Sequence, residues 1–240
     1  MKLSEVFFQL SVGELSQVCA SEENTGQIKE HLVPAILGHV SLGLTALYTR
    51  FNLKESQLII DPQEDLLVYT LSSKHSLITG SAPVKYIKDS LDSPFKDDIL
   101  KVEFVVDNTG CSWALNDEAN HLACRTPSPT VLRIPEVLRS KGSDLIVGYR
   151  ANHPAVSYKQ PNGYPFNPEK IDIELPSSHL QALLYFVASR YHNPVGMSNE
   201  FHTGNSYYAK YEAECMRLEM ENLETDQGGQ YDRLYANGWV

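Results

Sequence analysis

Apolar residues recur with helical spacing at both ends of this chain and with strand spacing between them, and that arrangement limits the fold more than any single residue does. Ile28, Leu32, Val33, Ile36, Leu37, Val40, Leu44, Leu47, Tyr48 and Phe51 keep one stripe on one face of a helix. Near the other end, Leu180, Leu183, Leu184, Val187 and Tyr191 form a second stripe, and Tyr207, Tyr208, Tyr211, Cys215 and Leu218 a third. A lone amphipathic helix must bury its apolar face against something. The economical solution is an α+β fold in which residues 1–53 and 177–223 share one helical bundle. Residues 54–176 are then extruded as a β-rich insertion, and residues 224–240 are left as a tail.

With 240 residues, of which 42% are hydrophobic, the chain has enough apolar material for a bundle and a subdomain. A net charge of −10 disfavours a sequence-independent grip on nucleic acid, because that grip depends on Lys and Arg displacing counterions from phosphates. Glu5 and Gln9 interrupt the first apolar stretch, so it does not read as a signal peptide. Pro34, His39, Ser41 and Thr45 interrupt the most apolar run, residues 32–48, which falls short of the roughly 20 residues that span a bilayer. It reads as a buried helix, with no membrane partner. Cys19, Cys111, Cys124 and Cys215 are scattered without a CxxC pair, the usage of a protein folding in a reducing cytosol, and no disulfide is expected.

Along the chain, Leu3 to Leu10 reads as a short helix and Gly13 to Ala20 as a further turn or two. Asn24 or Thr25 is placed to cap a long helix in which Pro34 either makes a kink or marks the true first turn, a start near Gln27 with a kink being favoured. Gln57–Asp61 and Leu66–Ser72 read as a hairpin about the turn-rich residues 61–65. Ile99–Asp107 and Cys111–Leu115 read as a second hairpin closed through Gly110. Thr130–Ile134 and Asp144–Arg150 complete the strands, Lys85–Leu91 reads as a short helix, and residues 126–135 and 154–168 as proline-punctuated loops. Pro176 ends the extended region, and Ser177 or Ser178 is placed to accept hydrogen bonds from the first N–H groups of a helix running to about His192. Asn193-Pro194-Val195-Gly196 stops it. A last helix from about Asn205 to Leu223 completes an antiparallel helical hairpin.

The reactive side chains make no catalytic pattern. Cys111, His121 and Cys124 are close in sequence, the raw material of a thiol nucleophile and its base, but no oxyanion-type glycine turn accompanies them. His31, His39 and Cys19 lack zinc spacing, phosphate-loop and dinucleotide motifs do not occur, and Asp107-Asn108-Thr109-Gly110 is turn chemistry without the later ligands of a calcium loop. The expectation is a non-enzyme without cofactor or metal. Glu212, Glu214, Glu219, Glu221, Glu224 and Asp226 stand against Arg217 alone, either as a solvated helix face or as a surface kept negative so that DNA slides past. Beyond the glycine break at 228–229, Tyr231, Tyr235 and Trp239 recur every fourth residue with Leu234 beside them. Such a stripe either anchors an interface or folds back on its own bundle.

Residues 42–53, Leu-Gly-Leu-Thr-Ala-Leu-Tyr-Thr-Arg-Phe-Asn-Leu, together with the block from Leu175-Pro176-Ser177-Ser178-His179-Leu180 through Ala188-Ser189-Arg190-Tyr191, resemble the head-to-tail adaptor, or connector, proteins of tailed bacteriophages. In that family helices from both chain ends form a bundle interrupted by a β-rich insertion. The resemblance implies a structural virion protein, assembled in the host cytoplasm, that forms a homo-oligomeric ring, commonly dodecameric, joins the portal to the tail and lines the DNA exit channel. It implies contacts with the portal protein, a tail nozzle or tail tube protein and further copies of itself, and passage of genomic DNA without specific binding. Tyr231, Leu234, Tyr235 and Trp239 would be portal-docking anchors, and Glu212, Glu214, Glu219, Glu221 and Glu224 would face the channel. The alternatives are a tail-tube or tail-completion protein of the same virion and, in another class, a cysteine hydrolase acting on the host envelope.

Overall fold

The computed structural model describes residues 1–19, 27–140, 142–158, 166–192 and 198–221. The fold is mixed α and β. Helices α1 (Leu3–Val12), the one-turn α2 (Ser16–Cys19) and α3 (Val33–Arg50) come first. Strands β1 (Glu55–Ile60), β2 (Val68–Thr70), β3 (Ile87–Lys88), β4 (Ile99–Asp107), β5 (Ser112–Trp113), β6 (Arg125–Ser128) and β7 (Val131–Arg133) follow. The one-turn α4 (Glu136–Arg139) precedes β8 (Leu145–Ala151), and α5 (Leu180–Tyr191) and α6 (Ser198–Met220) close the order. The chain divides into a helical unit, residues 1–53 with 154–240, and a strand unit, residues 54–153.

In the helical unit, α1 buries Leu3, Val6, Phe7 and Leu10. Its start is tied to the segment ahead of α5. The Leu3 N–H donates to the Ile171 carbonyl (2.9 Å), the Ile173 N–H to the Met1 carbonyl (2.8 Å), and Lys2 pairs with Asp172 (2.6 Å). These bonds, with the Tyr48 hydroxyl donating to the Glu174 carbonyl, are why the strand unit ends at His153, earlier than the expected 176.

Helix α3 does not start near Gln27, and Pro34 does not lie in its interior. A single 3-10 turn, Glu30–Leu32, leads into it, and Pro34 sits in its first turn, where the missing N–H has no intrahelical partner to lose. Asn24 and Thr25, the expected caps, lie outside the described residues. The continuous helical segment Glu30–Arg50 has 21 residues and holds an 18-residue window of mean hydropathy 1.5, so by length and composition it reaches what a membrane span needs, against the expectation that it falls short. Its stripe of Ile36, Leu37, Val40, Leu44, Leu47 and Tyr48 is buried within the helical unit.

α5 packs against α1, α3 and α6. The close approach to α3 depends on Gly43: a Cβ there would lie 2.7 Å from Leu183 Cδ1 and 2.9 Å from Phe186 Cδ1. α5 and α6 run antiparallel, with His192 stacked on Tyr207 (5.7 Å) at one end and Phe186 edge-on to Tyr211 (5.3 Å) further along. Neither Ser177 nor Ser178 caps α5. A 3-10 turn, Ser177–His179, begins at Pro176 without a side-chain cap, and the Ser178 hydroxyl lies 3.0 Å from His179 Nδ1 instead. α6 begins at Ser198 rather than near Asn205.

The strand unit holds two antiparallel sheets, one in the order β3-β1-β8-β4-β5 and one in the order β2-β7-β6. The β4–β5 hairpin forms as expected, pairing Val105 with Trp113 and Val106 with Ser112. The expected first hairpin does not form. β1 pairs β8 from Glu55–Arg150 to Ile60–Leu145, whereas β2 pairs β7 in the other sheet. The alternation that buries Leu58, Ile60, Tyr69 and Leu71 shows two strands, but alternation carries no information about partners. Residues 85–91 are not helical; they contain β3, which lies beside β1 with Tyr86 and Ile87 buried. β6 occupies part of an expected loop, and its Pro127 is tolerated because β6 is an edge strand.

The core gathers Tyr69, Tyr86, Leu132, Ile134, Val147 and their neighbours, with Trp113 and Leu115 packed on its rim. The Tyr86 hydroxyl accepts from the Thr70 N–H (2.8 Å) and donates to the Thr70 carbonyl (2.9 Å), occupying backbone groups on edge strand β2. β4 carries register shifts around Leu100 and Glu103 in its pairing with β8.

Candidate functional site

The acidic C-terminal half of α6 is the expected feature that the structure describes best. Tyr211, Cys215 and Leu218 form its buried stripe, as the helical spacing requires, but Tyr208 is half exposed rather than part of that stripe. Arg50, the last residue of α3, donates from Nη1 to Glu212 (2.6 Å) and from Nε to Glu219 (2.7 Å). Arg217 donates to both Glu214 oxygens (3.0 and 2.7 Å) and to Glu221 (2.5 Å). Hydrogen bonding from Arg50 holds the Glu212 carboxyl below its ordinary range, and bonding from Arg217 does the same for Glu214. The four described glutamates are therefore ion-paired rather than a bare negative face. Glu224, Asp226 and the aromatic stripe Tyr231, Leu234, Tyr235 and Trp239 lie outside the described residues.

What sequence reading missed on α6 is apolar. Met216 and Met220, one turn apart, are 56% and 88% exposed, and Tyr208 is 50% exposed. Single apolar surface residues are ordinary; here three recur at multiples of four on one solvated helix, with Glu212 at the turn between Tyr208 and Met216. The spacing is readable in the sequence once the buried stripe is assigned to Tyr211, Cys215 and Leu218. Midway along α6, Lys210 Nζ lies 5.0 Å from the Tyr207 ring centroid and 5.8 Å from that of Tyr185, a cation held over two aromatic faces.

Within the cysteine–histidine grouping, Cys124 does not have a nucleophile's chemistry. Cys124 is fully buried in the strand unit, where its backbone bonds Ala114 and Asn116, and burial pushes its thiol up to about 12. A reactive cysteine needs the opposite shift. Cys111 is free and exposed beside the β4–β5 turn. That turn is organised by Asp107, whose carboxylate accepts from the Thr109 hydroxyl (2.5 Å) and from the N–H groups of Thr109 and Cys111 (each 3.0 Å). Among the described residues no group of His, Cys, Asp and Glu is arranged to hold a metal ion.

The strand unit also has a cleft of about 580 Å3 beside β1 and β3, lined in part by Lys54, Lys88, Lys96, Phe95, Asp98 and Tyr149. Its carboxylates are committed to holding the 89–98 loop. Asp98 accepts from the Tyr149 hydroxyl (3.1 Å), and Asp89 accepts from Ser76 Oγ (2.6 Å) and the Phe95 N–H (3.3 Å). Lys88 is paired with Asp144 (2.6 Å). No protein-family model matches the chain, and no curated protein matches it.

Proposed function

We propose that this chain is a structural virion protein, a head-to-tail adaptor that closes into a ring between the portal and the tail of a tailed bacteriophage. Part of the proposal is the finer fold reading, a helical bundle built from both chain ends and interrupted by a β-rich insertion. The observation that carries it is that α1 and α3 share a compact unit with α5 and α6, while the chain enters and leaves the strand unit on the neighbouring antiparallel strands β1 and β8. That is the organisation the resemblance implies. Further support comes from α6, whose buried stripe is narrow and whose outer side offers Tyr208, Met216 and Met220 to another surface.

A ring needs two different, complementary faces on each copy, so its contacts are heterologous and close only at one rotation. In this reading the partners are further copies of the chain, the portal protein and a tail protein; no substrate is turned over, no cofactor is used, and DNA passes without being bound. The test is to delete residues 227–240 and sediment the purified protein with portal rings. The full-length chain is expected to co-sediment as a ring visible by electron microscopy, and the shortened chain to remain folded but unbound. Full-length protein recovered only with isolated tails, never with portals, would replace this reading with a tail-completion role.

A further inference from the structure

We propose that His179 is a proton-operated latch: charging its buried imidazole releases the C-terminal half of α6 from α3 and α5.

His179 is fully buried where three helices meet. It precedes α5, and its ring stands edge-on to Phe51, at the end of α3, with centroids 4.8 Å apart. Nδ1 is 3.0 Å from the Ser178 hydroxyl, while Nε2 is enclosed without a hydrogen-bond partner. From α6 the charged groups acting on the ring are Arg217, which disfavours the imidazolium, and Glu214, which favours it; burial disfavours it most. At the end of α3, Arg50 is committed to Glu212 and Glu219. Glu214 is committed to Arg217 through both its oxygens.

A neutral ring fits this site because one nitrogen faces Ser178 and the other is enclosed without a hydrogen-bond partner. A protonated ring does not, because its second N–H then needs an acceptor where the buried ring has none. The acceptor of suitable charge is Glu214, and reaching it costs the Arg217 bonds. The alternative is water, which enters only if α6 moves away. Either route unsettles the turn of α6 that holds Tyr211, Cys215 and Leu218 in the core. The sign follows from burial: the docked state holds fewer protons than the released state once the pH falls below the ordinary histidine value of 6.5. Docking is therefore complete above that value and is lost progressively beneath it. His39, half-buried on α3 near Arg190, is shifted in the same direction and adds to the acid response, so the two sites must be separated.

The experiment is hydrogen exchange on the full chain at about pH 7.5 and about pH 5.5, corrected for intrinsic rates, comparing the wild type with His179→Phe and His39→Gln. His179→Phe keeps an aromatic ring against Phe51 and cannot be charged. In the wild type and in His39→Gln, protection of amides 208–218 is expected to fall at the lower pH, by about tenfold for each pH unit over which the released state alone is protonated. In His179→Phe it is expected to hold. Equal loss in the wild type and His179→Phe, no loss in the wild type, or loss abolished by His39→Gln alone would each overturn the latch. If His179→Phe fails to fold, imidazole titration of the wild type by NMR decides. Titration of His179 below 6.5 together with loosening of α6 supports the latch, and titration at or above 6.5 with α6 intact refutes it.

Discussion

At residue 148 the backbone of β8 passes so close under the Phe104 ring that a Cβ there would lie 2.1–2.6 Å from its atoms. Gly148→Val must push that ring out of the sheet's packing, and overpacking of this kind costs about 1–3 kcal/mol. A lower urea midpoint, with the loss confined to strand-unit probes such as Trp113, is the expected result. An isolated glycine inside a strand pattern is a sequence sign of close approach, yet nothing in the sequence says that Phe104 is the group approaching. Asp107 was more legible, because an Asp two residues before Thr and three before Gly is turn chemistry whatever surrounds it. Its carboxyl is lowered from 3.8 to about 2, first by the Thr109 hydroxyl and then by the Cys111 and Thr109 N–H groups and Trp113, against an opposing effect of burial. A depressed carboxyl stabilises the fold above its unfolded value and loses that contribution as the pH falls through its folded one. Asp107→Asn is therefore expected to flatten the acid limb of the stability curve between 3.8 and about 2, measured by acid titration of near-ultraviolet dichroism.

Helices and strands were legible as periods, but their ends and partners were not. α6 extends back to Ser198 through a stretch with no apolar stripe, and Gly204 within it is buried, so packing rather than propensity sets that boundary. Of the two readings of Pro34, the sequence favours the kink over the first turn because the 3-10 turn before it leaves no periodic trace. The acidic run on α6 was plain from composition, whereas its neutralisation was not, since Arg50 arrives from α3 at the other end of the chain. Arg50 is one-quarter exposed, so its two ion pairs are worth little individually. Arg50→Ala is expected to destabilise the helical unit by about 1 kcal/mol in dilute buffer and by less in concentrated salt. Thermal melts at the two ionic strengths check this. A loss independent of salt would mean that Arg50 acts through the packing of its methylene stem.

For the molecule as a whole, the α+β class and the placing of helices at both ends were readable, because hydrophobic periodicity survives without knowledge of neighbours. Strand order was not, because β1 finds its partners in β3 and β8, far along the chain. That pairing has a further result. The Ala151 N–H donates to the Lys54 carbonyl (2.9 Å) and Glu55 pairs with Arg150, so the strand unit begins and ends at the same place. A unit with adjoining ends and its own core is expected to fold when excised. Residues 54–153 expressed alone should unfold cooperatively in urea and give dispersed amide resonances, and a collapsed, undispersed spectrum would show that the core needs the rest of the chain.

The same adjacency governs how the protein responds to load. Tension entering through residues 53 and 154 bears first on the Ala151–Lys54 and Asn152–Asp98 bonds and then on the β1–β8 rungs in turn from Glu55–Arg150 onward, so β1 and β8 part like a zip rather than resisting along their full length. A pull therefore loads the β1–β8 pairing one rung at a time, while β4 still holds β8 from its other side.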